Sequence, residues 1–309
     1  MSALDLSLPV VLGTGWFDPD VAGAVDASIA TYLDAGGRVL DTGRVYGRSE
    51  DAIGDWFRAH GDVPGVRLVT KGGHPDLTDW LPRLSRHAVL ADARTSADKL
   101  GRPVDLYLLH RDDPAAPVED LADTLRVVVD EGLASEVGVS NWALDRTRAL
   151  DDALRERGLR LAALSNYAGL AAASGTPELA GVRSLDAATL AWAQAHRIPN
   201  LAWSSQSGGY FVGRERSLFD GRENVRRRGV LDRVAAAAGV RSDDLLARWT
   251  ATRTRSIVPI VASRTPERLA RVLSSTRDAA FDPAVEQLIA ALDPAGSLSR
   301  ALLDPDPAW

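Results

Sequence analysis

Val10-Val-Leu-Gly13-Thr14-Gly15-Trp16-Phe17-Asp18 is the stretch at which two folds part company. An apolar, β-branched run leading into Gly-x-Gly resembles the start of an open, doubly wound sheet that binds dinucleotides. That fold needs G-x-G-x-x-G, whose third glycine lets helix and strand pack closely. Asp18 stands where the third glycine would be, so the fingerprint is absent.

Outward from this point the pattern repeats. Short apolar runs at 10–13, 38–41, 66–71, 104–110, 135–140, 161–165, 200–204 and 256–261 read as strands. Between them, apolar residues recur at helical spacing over 21–35, 49–60, 84–100, 118–131, 144–157, 185–196, 230–238, 243–253 and 265–274. Asp20 is placed to open the first helix and Gly36-Gly37 to close it, while Gly101 closes the third. Apolar strands alternating with helices predict parallel pairing through right-handed crossovers, and eight such units close into a (β/α)8 TIM barrel. No low-complexity linker interrupts the alternation, so residues 1–309 are expected to form one domain. The longest irregular stretch expected is 205–228, rich in Gly, Ser and Arg.

Composition narrows the function. With 45% hydrophobic residues the chain can bury a large core, and a net charge of −6 argues against a general nucleic-acid partner. There is no cysteine, which excludes disulfides, thiolate metal sites and cysteine nucleophiles; no metal site is expected. No apolar run is long enough to span a membrane, and the first nine residues lack the features of a secretion signal. A cytoplasmic protein is the expectation. Of 36 basic residues only Lys71 and Lys99 are lysine, so a lysine ending the apolar run 66–70 requires its own explanation.

In such a barrel the active site lies at the C-terminal ends of the strands. Those ends carry Asp41, Lys71, His110, Ser140-Asn141, Asn166, Trp203-Ser204-Ser205-Gln206 and Ser263-Arg264, with Tyr46 in the loop after the second strand. Taken singly, Asp41 could be a cap and His110 an ordinary core histidine. Together with Lys71 and Tyr46 they suit carbonyl reduction. Negative charge develops on the carbonyl oxygen and must be protonated. A tyrosine does this at working pH only if its pKa, about 10 unperturbed, is lowered. A buried ammonium lowers it, a carboxylate holds the ammonium charged, and a histidine can polarise the carbonyl.

Asp41-Thr-Gly-Arg-Val-Tyr46-Gly-Arg-Ser-Glu50-Asp-Ala-Ile-Gly54 resembles the aldo-keto reductase signature. Val69-Thr70-Lys71, Tyr107-Leu-Leu-His110 and Gly138-Val-Ser140-Asn141-Trp142 are similar to further segments of that family, in the family's order, from about residue 12 to about residue 273. The resemblance implies Tyr46 as general acid, Lys71 as its modulator, Asp41 as the lysine's partner and His110 as the group that orients substrate. It implies NADPH in preference to NADH. Ser140, Asn141 and a sixth-strand side chain would hold the carboxamide, and Trp203 would stack on the nicotinamide. The backbone of Gly13 and Thr14 and the residues after Trp203 (Ser204, Ser205 and Gln206) would line the cofactor. Ser263, Arg264 and Arg268 would take the adenosine 2′-phosphate at a helix N-terminus.

The chain departs from the family at three places. Asn166 replaces the usual sixth-strand glutamine, with Ser165 as the alternative; Arg268, Arg271 and Val272 stand near the adenine; and Trp-Ser-Ser-Gln replaces Tyr-Ser-Pro at the seventh strand. These affect cofactor affinity more than chemistry. Trp16, Trp80 and Trp142 are expected to wall the substrate pocket beside Tyr46 and His110, with Phe17, Tyr210 and Phe211 nearby. The expected partner is a small, neutral carbonyl compound, sugar-derived compounds included. The rival readings are a non-catalytic cofactor sensor of the same fold and a sugar hydrolase. The hydrolase needs paired strand-end carboxylates, and only Asp41 is evident.

Overall fold

Side chains two apart on a strand share a face, and here both faces are apolar, so both must be covered. The computed structural model describes residues 4, 6, 8–172, 181–214, 217–251, 256–275 and 282–292. In it eight strands meet that demand by closing on themselves. They are β1 (Val11–Gly13), β2 (Val39–Asp41), β3 (Arg67–Gly72), β4 (Val104–Leu109), β5 (Ala134–Ser140), β6 (Leu161–Ser165), β7 (Asn200–Ala202) and β8 (Ile257–Val261). Each pairs in parallel with its chain neighbour, and β8 returns to β1 with Val11 opposite Ile260.

One face of the strands fills the barrel. Val11, Val39, Val69, Leu106, Leu108, Ala163, Leu201, Val258 and Ile260 form a single buried cluster. The alternate residues, among them Val10, Leu12, Leu40, Leu68, Tyr107 and Leu109, join the larger core beneath the helices. Those helices are α1 (Ala22–Asp34), α2 (Ser49–His60), α3 (Arg86–Leu100), α4 (Val118–Asp130), α5 (Leu144–Glu156), α6 (Ala187–Ala195), α7 (Arg222–Ala237), α8 (Ser242–Ala251), α9 (Pro266–Ser275) and α10 (Pro283–Leu292). Ser85 and Asp186 cap α3 and α6 by accepting from the backbone N–H of Ala88 and Thr189, and Gly101 ends α3 at a φ of 72°. Among the described residues no helix is long and apolar enough to cross a membrane.

The eight expected strands are all present, with ends displaced by two residues at most. The helical layer differs in four places. Asp18, not Asp20, makes the first cap, accepting from Asp20 N across a 3-10 turn that Pro19 pre-organises. The seventh helix starts at Arg222 rather than 230. Its first turns have no apolar stripe and rest on polar bonds: Glu223 pairs with Arg226 and Arg227, and Asn224 bonds the backbone of Ala172 and Phe219. An unanticipated helix, α10, follows Asp282, whose carboxylate accepts from Ala284 N and pairs with Arg248. Finally, Phe17, Tyr210 and Phe211 do not line the mouth. Phe17 is buried in the main core, while Tyr210 and Phe211 pack with Tyr167, Phe219, Trp249 and Leu288 in a second one.

Gly138 shows how tightly β5 and β6 are joined. A Cβ there would lie 2.3 Å from the Ala163 carbonyl oxygen and 2.6 Å from Leu108 Cδ2, at the point where the register with β6 shifts. Backbone on one side cannot yield. Gly138→Ala is expected to destabilise the fold by about 1–3 kcal/mol through overpacking, read as a lower denaturant midpoint. An unchanged midpoint would show that the strands can separate to admit a methyl group.

Candidate active site

The inward register that fills the barrel also decides which strand-end residues share its mouth. Val39 faces inward, so Asp41 does; Val69 carries Lys71, and Leu106 and Leu108 carry His110 by the same parity. Lys71 Nζ lies 2.6 Å from both carboxylate oxygens of Asp41 and 2.7 Å from the Thr42 carbonyl. Both side chains are buried. Burial alone would discharge the ammonium, but the Asp41 carboxylate, and Tyr46 after it, hold the Lys71 pKa above its ordinary value.

Tyr46 is presented by the loop between β2 and α2. Its ring centre is 5.2 Å from Lys71 Nζ and 5.6 Å from the His110 ring, which it meets edge-on. The loop is held by residues to which the sequence reading gave no role. Ser49 Oγ donates to the Thr14 carbonyl and lies 2.9 and 3.0 Å from the hydroxyls of Thr14 and Thr42. Buried Glu50 accepts from Thr70 Oγ1 at 2.7 Å. Both belong to the Ser-Glu pair of the quoted signature, which was the available signal. Thr14, expected at the cofactor, spends its hydroxyl on the Asp41 carbonyl.

His110 is buried and remains neutral: burial lowers its pKa well below the usual value, and Arg111, Lys71 and His74 add to the effect. Its Nδ1 is buried without a hydrogen-bond partner. A buried unpaired N–H is rarer than an unpaired acceptor, which favours the tautomer with the proton on Nε2. His74 packs edge-on against His110 at 4.9 Å, and its Nδ1 bonds the Pro75 carbonyl, so its own proton sits there.

Beside these residues runs a polar shelf. Asn141, at a φ of 64°, donates from Nδ2 to Ser140 Oγ (2.9 Å) and to the His110 carbonyl (3.3 Å). Its Oδ1 accepts from Trp203 Nε1 at 3.1 Å and from Arg183 N at 3.2 Å. Ser140 Oγ donates to the Ser165 carbonyl. Asn166 Oδ1 accepts from Asn141 N, and Asn200 Oδ1 accepts from Asn166 N. Asn200 is thus a positioning residue the sequence reading passed over, although a buried asparagine opening an apolar strand was a signal for it. Asn166 Nδ2 keeps a donor to spare: it bonds none of the described residues. Trp203 is fixed from two sides, by Asn141 and by the Tyr167 ring at 5.0 Å.

Between the ends of β8 and β1 and the loop after β7 lies a cleft of about 450 Å³, lined by Trp16, Ser204, Gln206, Arg214, Ser263, Arg264 and Arg268, among others. Among the described residues its lining has three arginines and no acid. Arg264 is exposed and lies 5.9 Å from the centre of the Trp16 ring. Arg268 has its pKa lowered, first by burial and then by Arg214 and other arginines, with Asp243 opposing. An anion would relieve that crowding. Arg214 was not anticipated from sequence; it folds back over Gly209, where a Cβ would lie 2.8 Å from Arg214 Cδ. Trp16 Nε1 and Gln206 Nε2 are buried without partners among the described residues, so the cleft holds spare donors as well as positive charge. This donor set fits a phosphorylated dinucleotide.

The remaining candidates have other surroundings. Ser205 Oγ anchors the loop to the Ile260 carbonyl, and Ser263 bonds Thr265 at the start of the last barrel helix. Gly13 packs against Ile260, leaving 2.8 Å for a Cβ. Trp142 is buried beneath the Arg146 guanidinium, 5.2 Å from its ring centre, while Trp80 is exposed with its ring 6.1 Å from His74. Asp112, the nearest acid beyond β4, is engaged by Arg146 at 2.9 Å.

Known proteins share this plan. The chain is 28% identical to methylglyoxal reductase DkgB of Salmonella typhimurium, over 96% of this chain and 97% of that protein. It is 28% identical to a 6-dehydroglucose reductase of Novosphingobium aromaticivorans, over 77% and 75%. To the aldo-keto reductase YhdN of Bacillus subtilis it is 29% identical, over 47% of this chain and 45% of that protein. The aldo/keto reductase family matches residues 10–293. With the closed barrel and the polar mouth at its strand ends, this chain belongs to the aldo/keto reductase family, nicotinamide-dependent enzymes acting on small carbonyl compounds, and is an oxidoreductase.

Proposed function

We propose that this enzyme reduces an aldehyde or ketone to the alcohol with NADPH, and that Tyr46 supplies the proton. The observation that carries the reading is the buried Lys71–Asp41 pair facing Tyr46 and His110 in one mouth. Bound NADPH supplies the hydride. His110, neutral and with Nε2 as its donor, polarises the carbonyl oxygen, and Tyr46 gives its proton to that oxygen as negative charge develops there. The Lys71 ammonium favours the phenolate left on Tyr46, and Asp41 keeps Lys71 charged and aimed. Asn166 Nδ2 is the spare donor on the shelf for the carboxamide. Arg264, Arg268 and Arg214 would meet the phosphates, the 2′-phosphate included. Relatives named for 6-dehydroglucose and methylglyoxal support oxidised sugars or small oxo-aldehydes as substrates.

Three variants test these roles. Tyr46→Phe is expected to lower kcat by about 10²–10⁴-fold while NADPH, titrated by fluorescence, binds as in the parent. Near-normal turnover would overturn the assignment, and tight NADPH binding without turnover of any carbonyl by the parent would sink the reductase reading.

Arg264→Ala should weaken NADPH by about 10- to 100-fold, the worth of charge-assisted bonds to one phosphate, and leave NADH nearly unchanged. Equal losses for both cofactors would place Arg264 away from the 2′-phosphate.

Lys71→Met strands the Asp41 carboxylate in the barrel and should cost about 3–5 kcal/mol of stability. Adding Asp41→Asn should restore most of that stability without restoring activity. An active double variant would mean that the charge on Lys71 is dispensable.

A further inference from the structure

Arg111 differs from several arginines of the strand-end loops. Arg83 bonds Asp92 at 2.7 Å, Arg146 bonds Asp112 at 2.9 Å, and Arg48 reaches Asp18 and Asp20. Arg111 is partly buried, yet among the described residues no carboxylate meets it. Its one hydrogen bond runs from Nη1 to the carbonyl of His110 at 3.2 Å. That carbonyl also takes Asn141 Nδ2, so the guanidinium sits at the level of the polar shelf. Gly181 lies against the aliphatic stem: a Cβ there would be 3.7 Å from Arg111 Cδ.

Among the described residues, this half-buried guanidinium has one neutral acceptor and no compensating charge for the hydration it has given up. Its effect reaches the centre of the site. It contributes to the low pKa values of His74 and His110, and its own pKa is pulled down by burial, with Tyr46 opposing. The cofactor does not account for it. The arginine-lined cleft lies at β8 and β1, whereas Arg111 follows β4, halfway round the closed barrel. A small molecule with its carbonyl between Tyr46 and His110 would have its other end within reach of Arg111.

We propose that Arg111 binds a carboxylate on the substrate, so that this enzyme favours carbonyl compounds bearing an acid group a few carbons from the aldehyde or ketone. The proposal rests on the reading of Tyr46 and His110 as the carbonyl site, and it replaces the expectation of a neutral substrate. A planar carboxylate can pair with the guanidinium edge that the His110 carbonyl leaves free. Arg111 is then a specificity residue; protonation and polarisation stay with Tyr46 and His110.

The test pairs two probes of one shape. Succinic semialdehyde and its methyl ester are assayed with NADPH, and succinate and succinamide are titrated calorimetrically against the same protein. The parent should prefer the acid over the ester by about tenfold or more, and Arg111→Gln should raise KM for the acid by about 10- to 100-fold. Any change in kcat should be common to acid and ester, the loss in KM should be confined to the acid, and Arg111→Lys should recover part of the preference. Succinate should bind the parent more tightly than succinamide, and Arg111→Gln should abolish the difference. Equal handling of acid and ester, or equal losses for both in Arg111→Gln, would overturn the proposal and leave the reductase reading intact. If neither aldehyde turned over but succinate binding still depended on Arg111, the anion site would stand and the reductase reading would fall.

Discussion

Two opposite charges share the C-terminal mouth of an apolar barrel, and the site is organised by what they require. Neither Lys71 nor Asp41 would be tolerated there alone, because a buried charge needs a partner and its remaining hydrogen bonds. Asp41 and the Thr42 carbonyl meet that need for Lys71, and in doing so lock the ends of β2 and β3 together. The pair exists only in one register. A slip of one residue would turn both side chains toward the helices, into the core built by Leu40 and Leu68.

The loop bearing Tyr46 inherits this rigidity. Ser49 ties it to Thr14 and Thr42, and Glu50 ties it to Thr70, the residue before the lysine. Tyr46 therefore sits on a loop whose polar groups are spent holding it still, which suits the proton donor proposed for it, one that would meet a developing charge without rearrangement. The shelf formed by Ser140, Asn141 and Asn166 follows the same logic. Nearly every donor and acceptor on it is used internally, and among the described residues Asn166 Nδ2 has no partner, which leaves it for the proposed carboxamide contact.

The mouth is divided electrostatically. On the β8–β1 side, arginines gather in a cleft whose described lining has no acid, as the proposed phosphate site requires. On the β4 side, Arg111 meets no carboxylate among the described residues and stands next to a neutral histidine. Between them lies the Lys71–Asp41 pair. Charge at the two ends, with the reacting groups in the middle, would orient an anionic substrate against an anionic cofactor without bringing their charges together.

The sequence by itself determined the barrel and the inward set. Alternation with a period of two, read along runs such as 66–71 and 104–110, is a local property, and it carries Asp41, Lys71 and His110 to one face without knowledge of any neighbour. Tertiary structure decided where polar atoms and bulky rings find partners. Tyr210 and Phe211 read as mouth residues but pack beneath α7 and α10, since α7 begins on charge pairs that show no apolar stripe. The Thr14 hydroxyl bonds Asp41 and Ser49 across the ends of two strands, partners no local pattern announces. Arg83 and Arg146 find acids 9 and 34 residues away, while Arg111 finds none among the described residues. A strand's face is set by neighbours two residues apart, but an ion pair is set by which loops the closed barrel brings within 3 Å or so.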